Sequence, residues 1–322
     1  MESLPLLLTQ GDPHGIGPEL ALKAWAQREA QGLAPFALIG DPNVFARAAQ
    51  QIGMTAPLRA CTPTEASALF ERHIPIIALH GSPEEAIVVA AIAEAVKHIH
   101  EGAARAIVTN PISKAALYKT GFAYPGHTEF LGALADELWK VKAQPVMMIW
   151  SSLLAVVPIT IHVPLSDVPR LLTQELVIET ARIVARDLHD RFGIAKPRLA
   201  LAGLNPHAGE SGTIGREDDD VLRPAVEVLR AEGIAIMGPL SADTLFHAEA
   251  RKAYDVALCP THDQALIPAK TLAFDEGVNV TLGLPFVRTS PDHGTAPDIA
   301  GQGIARPTSL IESLKLADRL TR

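Results

Sequence analysis

The sequence predicts an α/β protein built on a largely parallel sheet, and three observations support this prediction. Short apolar runs are continuous rather than alternating, as in strands that are covered on both faces. Longer segments with helical periodicity lie between these runs. Apolar residues make up 48% of the 322 residues and charged residues 20%, which is enough apolar material for a packed core.

Buried strands are predicted wherever a short aliphatic run ends at a turn-forming residue. In chain order these runs are Pro5–Thr9, Phe36–Gly40, Ile74–Leu79, Ala106–Thr109, Val146–Trp150, Leu154–Ile161, Arg198–Leu204 and Asp255–Cys259. Proline follows several of them closely, as in Asn110-Pro111, Asn205-Pro206 and Cys259-Pro260. A proline at this point redirects the chain, so shaped loops are expected at these strand ends.

Helices are predicted between the strands from the spacing of apolar residues. They are Pro18–Gln31, Pro83–Glu101, Glu129–Leu138, Gln174–Phe192 and Asp219–Glu232. The acidic run Glu217–Asp220 is interpreted as the charged first turn of the last of these helices, in preference to a metal site. At about 150 residues per domain, the length predicts two domains.

Composition excludes several classes of protein. Acidic residues outnumber basic ones by 36 to 28, so no basic surplus is available for nucleic-acid phosphates. The two cysteines, Cys61 and Cys259, are too few for a disulfide scaffold or a cysteine-rich zinc module. No signal peptide or membrane span is recognisable, and the sequence is therefore expected to belong to a cytoplasmic protein.

Three histidines follow three predicted strands at nearly the same point. They are His162, His207 and His262. Ligands of open α/β sheets bind at the carboxyl ends of strands, so three loops could assemble one site there. Three imidazoles that leave an open position are typical of a catalytic divalent-metal site. The alternative is that each histidine only hydrogen-bonds within its own loop.

A second group of residues suggests a small anionic ligand. Gly126, His127 and Thr128 precede a predicted helix, whose first amides attract anions. The segment Gly121–Gly126 has P-loop spacing, but His127 stands where the P-loop needs lysine, so a nucleoside triphosphate site is disfavoured. Lys270 and Arg288, with Asn279 between them, are cations that would suit a phosphate ester. A helix cap and surface ion pairs are the alternatives.

Two loops are rich in glycine and turn residues. The first, Gly11–Glu19, follows a strand and opens a helix, but it lacks the Gly-x-Gly-x-x-Gly pattern of an ordinary dinucleotide site. The second, Pro291–Gly301, is long, and long shaped loops usually serve function. The residues alone do not identify its ligand.

Taken together, these segments resemble the 4-hydroxythreonine-4-phosphate dehydrogenase family of vitamin B6 biosynthesis. The resemblance runs through nearly the whole chain. It rests on ordered motifs: Gly11–Glu19, Gly126–Leu131, Asn205–Glu210, His262–Gln264, Asn279–Gly283 and Arg288–Ala296. Thr261 departs from the pattern, which has an aromatic residue before the histidine of His262–Gln264.

The resemblance implies a fold of two α/β/α lobes of the isocitrate/isopropylmalate dehydrogenase type, with the active site in the cleft between them. The cofactor-side lobe is expected to be discontinuous, with residues 1–125 and 272–322. Residues 126–271 are expected to form the metal-binding and dimerisation lobe. The loop from His293 to Gly301 resembles the adenosine-binding loop of that fold, which implies NAD or NADP as the cofactor.

The resemblance also implies roles for individual residues. One divalent ion (Zn, Mg or Co) would be bound by His162, His207 and His262, with the site shared between the subunits of a homodimer. The remaining expected roles are substrate binding by His127, Thr128, Lys270, Asn279 and Arg288, catalysis by Asp243, Asp263 and Lys270, and cofactor binding by His293, Gly294, Thr295, Ala296 and Asp298. Asp243, Asp263 and a metal-bound hydroxide are open alternatives for the base.

The implied reaction is oxidation of 4-phosphohydroxy-L-threonine at C3, followed by loss of carbon dioxide to give 3-amino-2-oxopropyl phosphate. One alternative is a dehydrogenase of threonate or erythronate 4-phosphate. A dihydrodiol dehydrogenase is less favoured, because that branch is expected to lack the motif Gly126–Glu129. A metal-dependent lyase or hydrolase of a sugar phosphate is disfavoured by the loop from His293 to Gly301, and a non-catalytic sensor has no motif in its favour.

Overall fold

The structure, a computed structural model, describes residues 4–81, 84–113, 124 and 126–322. The chain divides into two compact units. Unit 1 comprises Met1–Pro145 and Val278–Arg322, and unit 2 comprises Val146–Gly277. The predicted start of a helix at Pro83 and most of the segment Gly121–Gly126 lie outside the described residues.

The sheet of unit 1 is mostly parallel, as the continuous apolar runs predict. Its strands are β1 (Leu6–Thr9), β2 (Phe36–Gly40), β3 (Leu58–Ala60), β4 (Ile74–Ala78), β5 (Ala106–Thr109), β11 (Val278–Leu282) and β12 (Val287–Pro291). They lie in the order β3-β4-β2-β1-β5-β12-β11. Strand β12 runs parallel to β5 and antiparallel to β11. The chain therefore returns to unit 1 beside the strand that carries Thr109.

Helices cover the strands of unit 1. They are Gly17–Ala26, Arg28–Gln31, Pro42–Gln51, Pro63–Leu69, Glu84–His100, His127–Trp139 and Thr308–Arg319. The predicted helix Pro18–Gln31 is divided at Gln27, which has a non-helical backbone. Strands β1, β2 and β5 are buried along their whole length. Burial of both faces explains why their sequences do not alternate between apolar and polar residues.

The strands of unit 2 are mostly parallel as well. The strands are β6 (Val146–Trp150), β7 (Ala155–Pro158), β8 (Arg198–Ala202), β9 (Ala235–Leu240) and β10 (Val256–Cys259), in the order β6-β7-β10-β8-β9. The helices are Val168–Leu171, Gln174–Asp190, Arg223–Ala231 and His262–Leu272. Strands β7, β10 and β8 are parallel neighbours, whereas β6 pairs antiparallel with β7.

The boundaries between the units differ from those expected at residues 125/126 and 271/272. The helix His127–Trp139 belongs to unit 1, where Phe130, Leu131 and Ala135 join the same apolar cluster as Ile92 and Val96 of the helix Glu84–His100. This packing, which the local sequence pattern does not show, moves the first boundary to Pro145. Among the described residues, no helix is both long and apolar enough to cross a membrane.

Candidate active site

Strands β7, β10 and β8 end at the same edge of the unit 2 sheet. In the parallel register, Leu258 of β10 stands opposite Val157 of β7 and Leu201 of β8. His162, His262 and His207 lie in the segments that follow these strands. The predicted arrangement, with three histidine loops at one sheet edge, therefore follows from the strand order and register.

Hydrogen bonds beyond the strands bring His162 close to His262. The Ile159 amide donates to the Cys259 carbonyl at 2.8 Å, and the Thr160 hydroxyl donates to the Pro260 carbonyl at 2.6 Å. These contacts extend the β7–β10 ladder into the two loops. The centroids of the two imidazole rings are 5.5 Å apart, and His162 has a left-handed backbone with φ 53°.

His262 is oriented by the start of its helix. Thr261 is the N-cap: its hydroxyl accepts from the Gln264 amide, and the Gln264 side chain accepts in return from the Thr261 amide. The carboxylate of Asp263 lies 2.8 Å from Nδ1 of His262. A carboxylate at Nδ1 leaves Nε2 available as a ligand, which is the usual arrangement around a metal-binding imidazole.

His207 lies near Asp243 rather than within a complete metal-binding cluster. The pKa of Asp243 is held below its usual range, first by the hydroxyl of Ser241 and more weakly by the positive charge of His207. In the part of the chain that is described, no three His, Cys, Asp or Glu side chains stand close enough to hold a metal ion. One chain therefore brings His162 to His262 and His207 to Asp243, and metal binding stays a prediction.

A cavity of about 800 Å³ opens beside these residues in unit 2. Its polar lining includes His162, His262, Asp243 and Asp263. Its apolar lining includes Leu165 and Ile267, whose side chains are 74% and 64% exposed. Large exposed aliphatic side chains beside a polar site are typical of a surface that another molecule covers.

The neighbouring cysteine is not a metal-ligand candidate. Cys259 ends β10, close to the histidines, but it is completely buried. Burial raises the pKa of its thiol, so the thiolate that a metal would need is disfavoured. The donors near this edge of the sheet are therefore imidazoles and carboxylates.

Unit 1 contains a buried cation, Arg288, on strand β12. Its side chain is only 3% exposed. The guanidinium donates to the Thr109 hydroxyl from Nη2 at 2.7 Å and from Nε at 3.1 Å, and to the Thr281 hydroxyl from Nη1 at 2.9 Å. Nη2 also lies 3.4 Å from Nδ1 of His127. None of these partners carries a negative charge.

The charge of Arg288 is not compensated by a carboxylate of the described residues. Within the described ranges, its guanidinium forms no ion pair with Asp or Glu. Burial lowers the pKa of Arg288 to about 10, so the group remains a cation near neutral pH. An unpaired buried charge is costly. An anionic ligand is the natural partner for such a cation.

The other predicted substrate residues are divided between the two units. Asn279 stands opposite Ser290, and Thr281 stands opposite Arg288 in the β11–β12 ladder, so all four side chains are on one face of the sheet. His127 and Thr128 begin the helix His127–Trp139, whose N-cap is Gly126. Lys270 belongs to unit 2 and lies in the last turn of its helix, 5.9 Å from the ring centroid of Phe274.

The predicted cofactor loop packs against the glycine-rich loop that follows β1. The Ile16 amide donates to the Thr295 carbonyl at 2.9 Å. A Cβ on Gly15 would stand only 2.9 Å from the same carbonyl oxygen, so this approach needs glycine. The Gly301 amide donates to the Glu19 carboxylate at 2.9 Å. Two hydrogen bonds, Ile16 to Thr295 and Gly301 to Glu19, therefore connect the two loops.

The predicted cofactor residues have different surroundings within this loop. Gly294 and Asp298 are exposed, whereas Thr295 and Ala296 are half-buried. Ala296 has a left-handed backbone with φ 41°. Nε2 of His293 is buried and has no hydrogen-bond partner among the residues described. Cofactor binding by these residues stays a prediction.

Several polar residues at the strand ends of unit 1 were not identified from the sequence. Thr109 and Thr281 hold Arg288, and both are almost completely buried. Asn110 follows Thr109, and its Oδ1 is buried without a partner among the described residues. The available signal was Asn110-Pro111 directly after a buried strand, because Asn205-Pro206 has the same position before His207.

The fold and site together define an α/β protein with histidine loops at the sheet edge of one unit and a buried arginine in the other. The family profile described as "Pyridoxal phosphate biosynthetic protein PdxA" matches residues 32–317. The chain therefore belongs to this family, and the recognition made from its motifs is confirmed.

Curated relatives and solved structures agree with this assignment. A 4-hydroxythreonine-4-phosphate dehydrogenase from Methylorubrum extorquens is 61% identical, over 98% of this chain and 94% of the relative. The solved 4-hydroxythreonine-4-phosphate dehydrogenase from Klebsiella pneumoniae is 35% identical, with a TM-score of 0.88 over 99% of this chain and all of the other. A terephthalate 1,2-cis-dihydrodiol dehydrogenase from Burkholderia xenovorans is 29% identical, with a TM-score of 0.64 and 98% coverage of both chains. These relatives are all oxidoreductases by name.

Proposed function

We propose that this protein oxidises 4-phosphohydroxy-L-threonine at C3, with NAD or NADP as the hydride acceptor and a divalent metal ion. The resulting 3-keto acid loses carbon dioxide and gives 3-amino-2-oxopropyl phosphate, a precursor for vitamin B6 synthesis. The proposal is supported by family membership and by relatives that carry the name of this activity. The ketone product is a β-keto acid, so the electron pair of the breaking bond can delocalise into the carbonyl group.

The observation that carries the choice of a phosphorylated substrate is the burial of Arg288 without a carboxylate partner in the described part of the chain. A phosphate group supplies the missing negative charge and accepts the remaining guanidinium hydrogens. Thr109 and Thr281 fix the plane of the guanidinium before the ligand arrives. An unphosphorylated diol would leave this buried charge without a partner.

The unit 2 residues fit a divalent metal by their donor chemistry. His162 and His262 face each other, with ring centroids 5.5 Å apart. The Asp263 carboxylate at Nδ1 of His262 leaves Nε2 for coordination. We assign His162, His207 and His262 as ligands, and Zn, Mg or Co as candidate ions. When bound, the metal would lower the pKa of the substrate alcohol and stabilise its developing negative charge.

Asp243 is kept as one candidate base, beside Asp263 and a metal-bound hydroxide. It is ionised at neutral pH, although its lowered pKa makes it a weak proton acceptor. Asp263 is engaged with Nδ1 of His262 and acts by orienting that ring. Lys270 is kept as a further acid–base or substrate-binding candidate on the same helix as His262.

The cofactor would bind against the loop that contains His293, Gly294, Thr295, Ala296 and Asp298. This assignment is supported by the buried, unpartnered Nε2 of His293 among the described residues. When bound, NAD or NADP would accept the hydride from C3. The contacts of Thr295 with Ile16 and of Gly301 with Glu19 would hold the loop in a fixed shape for the dinucleotide.

A homodimer is part of the proposal. The side chains of Leu165, Ile267 and Phe274 are 74%, 64% and 71% exposed. Two of them line the cavity that also contains His162 and His262. A second copy that covers these apolar side chains would bring its own residues to the metal and complete the ligand set.

The proposed function is tested by mixing the purified protein with NAD, a divalent metal and 4-phosphohydroxy-L-threonine. The expected result is NADH formation together with stoichiometric carbon dioxide. Unphosphorylated 4-hydroxy-L-threonine is the matched substrate control and should react far more slowly, because it cannot pair with Arg288. Chelator treatment should stop the reaction, and added metal should restore it.

Two results would contradict the proposal in different ways. Efficient turnover of threonate 4-phosphate without turnover of 4-phosphohydroxy-L-threonine would reassign the substrate within the phosphorylated hydroxy acids. Consumption of the phosphorylated substrate without reduction of either nicotinamide cofactor would exclude a dehydrogenase and favour a lyase or hydrolase.

A further inference from the structure

The loop that carries His207 has an unusual backbone. His207, Ala208, Glu210 and Ser211 have positive φ angles of 53°, 51°, 43° and 58°, and the two glycines Gly209 and Gly212 are also left-handed. Residues other than glycine rarely occupy this region, and they stay there only when the surrounding structure holds them. The conformation of His207 therefore depends on contacts made by its neighbours.

The contacts come from Asp218, a carboxylate that is completely buried. Its Oδ1 accepts from the Leu204 amide at 2.9 Å. Its Oδ2 accepts from the Asn205 amide at 3.1 Å and from the Asn205 side-chain amide at 2.9 Å. All three donors belong to the two residues that precede Pro206 and His207. Asp218 thus fixes the point at which the chain leaves β8 and enters the left-handed loop.

The surroundings of Asp218 leave little room for another arrangement. A Cβ on Gly203 would stand 2.7 Å from Oδ1 of Asp218 and 2.8 Å from Cα of Ala208. The Gly203 carbonyl accepts from the side chain of Gln264 at 2.9 Å, and Gln264 belongs to the capping box that begins the His262 helix. The same contact network therefore reaches both histidine loops.

Asp218 differs from its acidic neighbours. Asp219 pairs with Arg223 and Asp220 pairs with Arg216, each one helical turn away on the surface at 2.9 Å. Asp218 forms no ion pair with Lys, Arg or His among the described residues, and its charge is met by amide donors. The interpretation of Glu217–Asp220 as a charged helical turn thus fits Asp219 and Asp220 but not Asp218.

We propose that Asp218 is a positioning residue that holds the His207 imidazole ready for metal coordination. The inference rests on the proposed function, in which His207 is a metal ligand. A carboxylate that supports a metal-binding histidine usually hydrogen-bonds the imidazole ring itself. Asp218 would instead position His207 through the backbone of its loop. Loss of such outer contacts typically weakens metal binding by about 10–100-fold.

The test compares Asp218→Asn with Asp219→Asn in the full-length protein. Asparagine keeps the shape of Asp218, but it removes the charge and places an NH2 donor next to at least one of the three N–H donors. Zinc affinity, measured by competition with a chromophoric chelator, should fall about 10–100-fold in Asp218→Asn. It should stay within about twofold of the wild type in Asp219→Asn, whose side chain is partly exposed and pairs with Arg223.

A second measurement does not depend on metal. Amide hydrogen exchange of the metal-free protein should accelerate in the segment 203–212 of Asp218→Asn and stay unchanged in Asp219→Asn. In the presence of saturating zinc, kcat should decrease in Asp218→Asn, while KM for the phosphorylated substrate should stay close to the wild-type value. A purely structural defect would instead lower stability without this division between kcat and KM.

The outcomes separate this inference from the proposed function. Failure of the wild-type protein to bind zinc, magnesium or cobalt would refute the metal site itself. Wild-type binding together with unchanged affinity and exchange in Asp218→Asn would overturn only the role of Asp218. If Asp218→Asn does not fold, Asn205→Ala serves instead, because it removes one of the three donors and should weaken zinc binding in the same direction. Unchanged zinc affinity in that variant would overturn the inference.

Discussion

At the scale of the residue, the proposed phosphate-binding role of Arg288 rests on its burial and on the chemistry of its partners. The sequence indicated Lys270 and Arg288 as two cations that suit a phosphate ester, but surface ion pairs explained them equally well. A surface ion pair does not fit Arg288 in the structure, because its side chain is 3% exposed and its partners among the described residues are two hydroxyl groups and an imidazole. Thr109 and Thr281 were not predicted, since their role depends on a side chain from another strand.

Replacing Arg288 by methionine should remove the phosphate site while keeping an unbranched side chain of similar length. Charged hydrogen bonds contribute about 1.5–3 kcal/mol each, so KM for the phosphorylated substrate should rise by roughly 10–100-fold or more. Steady-state kinetics with saturating cofactor would measure this change. Arg182→Met is the control, because Arg182 is half-exposed and paired with Glu232 on the surface.

A thermal-shift measurement with inorganic phosphate would check the same site without turnover. Phosphate should raise the melting temperature of the wild type and of Arg182→Met, but not that of Arg288→Met. Because the pKa of Arg288 is about 10, the cation is present at every pH below that value. An equal response of all three proteins to phosphate would show that the anion binds elsewhere.

At the scale of the element, the sequence predicted best where burial is uniform. Strands β1, β2, β5, β7, β8 and β10 are continuous apolar runs, and the segments that the sequence had indicated follow β1, β7, β8 and β10. Strands β11 and β12 were not predicted, since Asn279, Thr281 and Arg288 interrupt their apolar pattern. The polar side chains that suggest a binding site are therefore the reason why strands β11 and β12 are not recognised as apolar runs.

Thr261 shows that a residue that departs from the family pattern can still have a structural role at the start of a helix. It stands where the family resemblance leads one to expect an aromatic residue, yet it caps the helix His262–Leu272 and forms a capping box with Gln264. Because the cap orients the first turn, it also orients His262. Thr261 is not itself a proposed metal-binding residue, but it can in this way position His262, which is one.

The variant Thr261→Ala should cost about 1 kcal/mol of folding free energy, the usual value for loss of an N-cap. It should also weaken metal binding, because the His262 turn loses its anchor. Thr173→Ala is the matched control, since Thr173 caps the helix Gln174–Asp190 by accepting from the Leu176 amide. Chemical denaturation should show similar losses for both variants, whereas chelator competition should separate them. Equal metal affinities would mean that the cap does not position His262.

At the scale of the whole molecule, the chain comprises two units whose boundaries the local sequence did not reveal. The helix His127–Trp139 was expected in the lobe of residues 126–271, as the family resemblance implied. Its apolar side chains instead pack with those of the helix Glu84–His100 in unit 1. Tertiary packing of this kind depends on partners distant in sequence, so periodicity within one helix cannot reveal it.

The proposed homodimer is tested at an exposed apolar position. Ile267→Glu places a charge on a side chain that is 64% exposed next to the histidine cavity. If a second subunit covers this surface, burial of the unpaired charge should shift the protein toward monomers, which sedimentation velocity would detect. Ile304→Glu is the control, since Ile304 is 62% exposed in unit 1. A dimer of unchanged affinity in Ile267→Glu would exclude this surface as the interface.

The burial of Arg288 also has a consequence for how quickly a ligand arrives. The protein has a net charge of −8, so its long-range field repels a phosphate ester, while Arg288, as a buried cation, acts only at short range. If the proposed substrate binds at Arg288, its encounter with the protein should be slowed by this field, in contrast to enzymes whose charged clefts attract their substrates. Salt screens the repulsion over a Debye length of about 8 Å at physiological strength. The association rate constant of the phosphate ester should therefore rise with ionic strength. Discrimination in favour of phosphate should occur only at short range, once the phosphate group is desolvated.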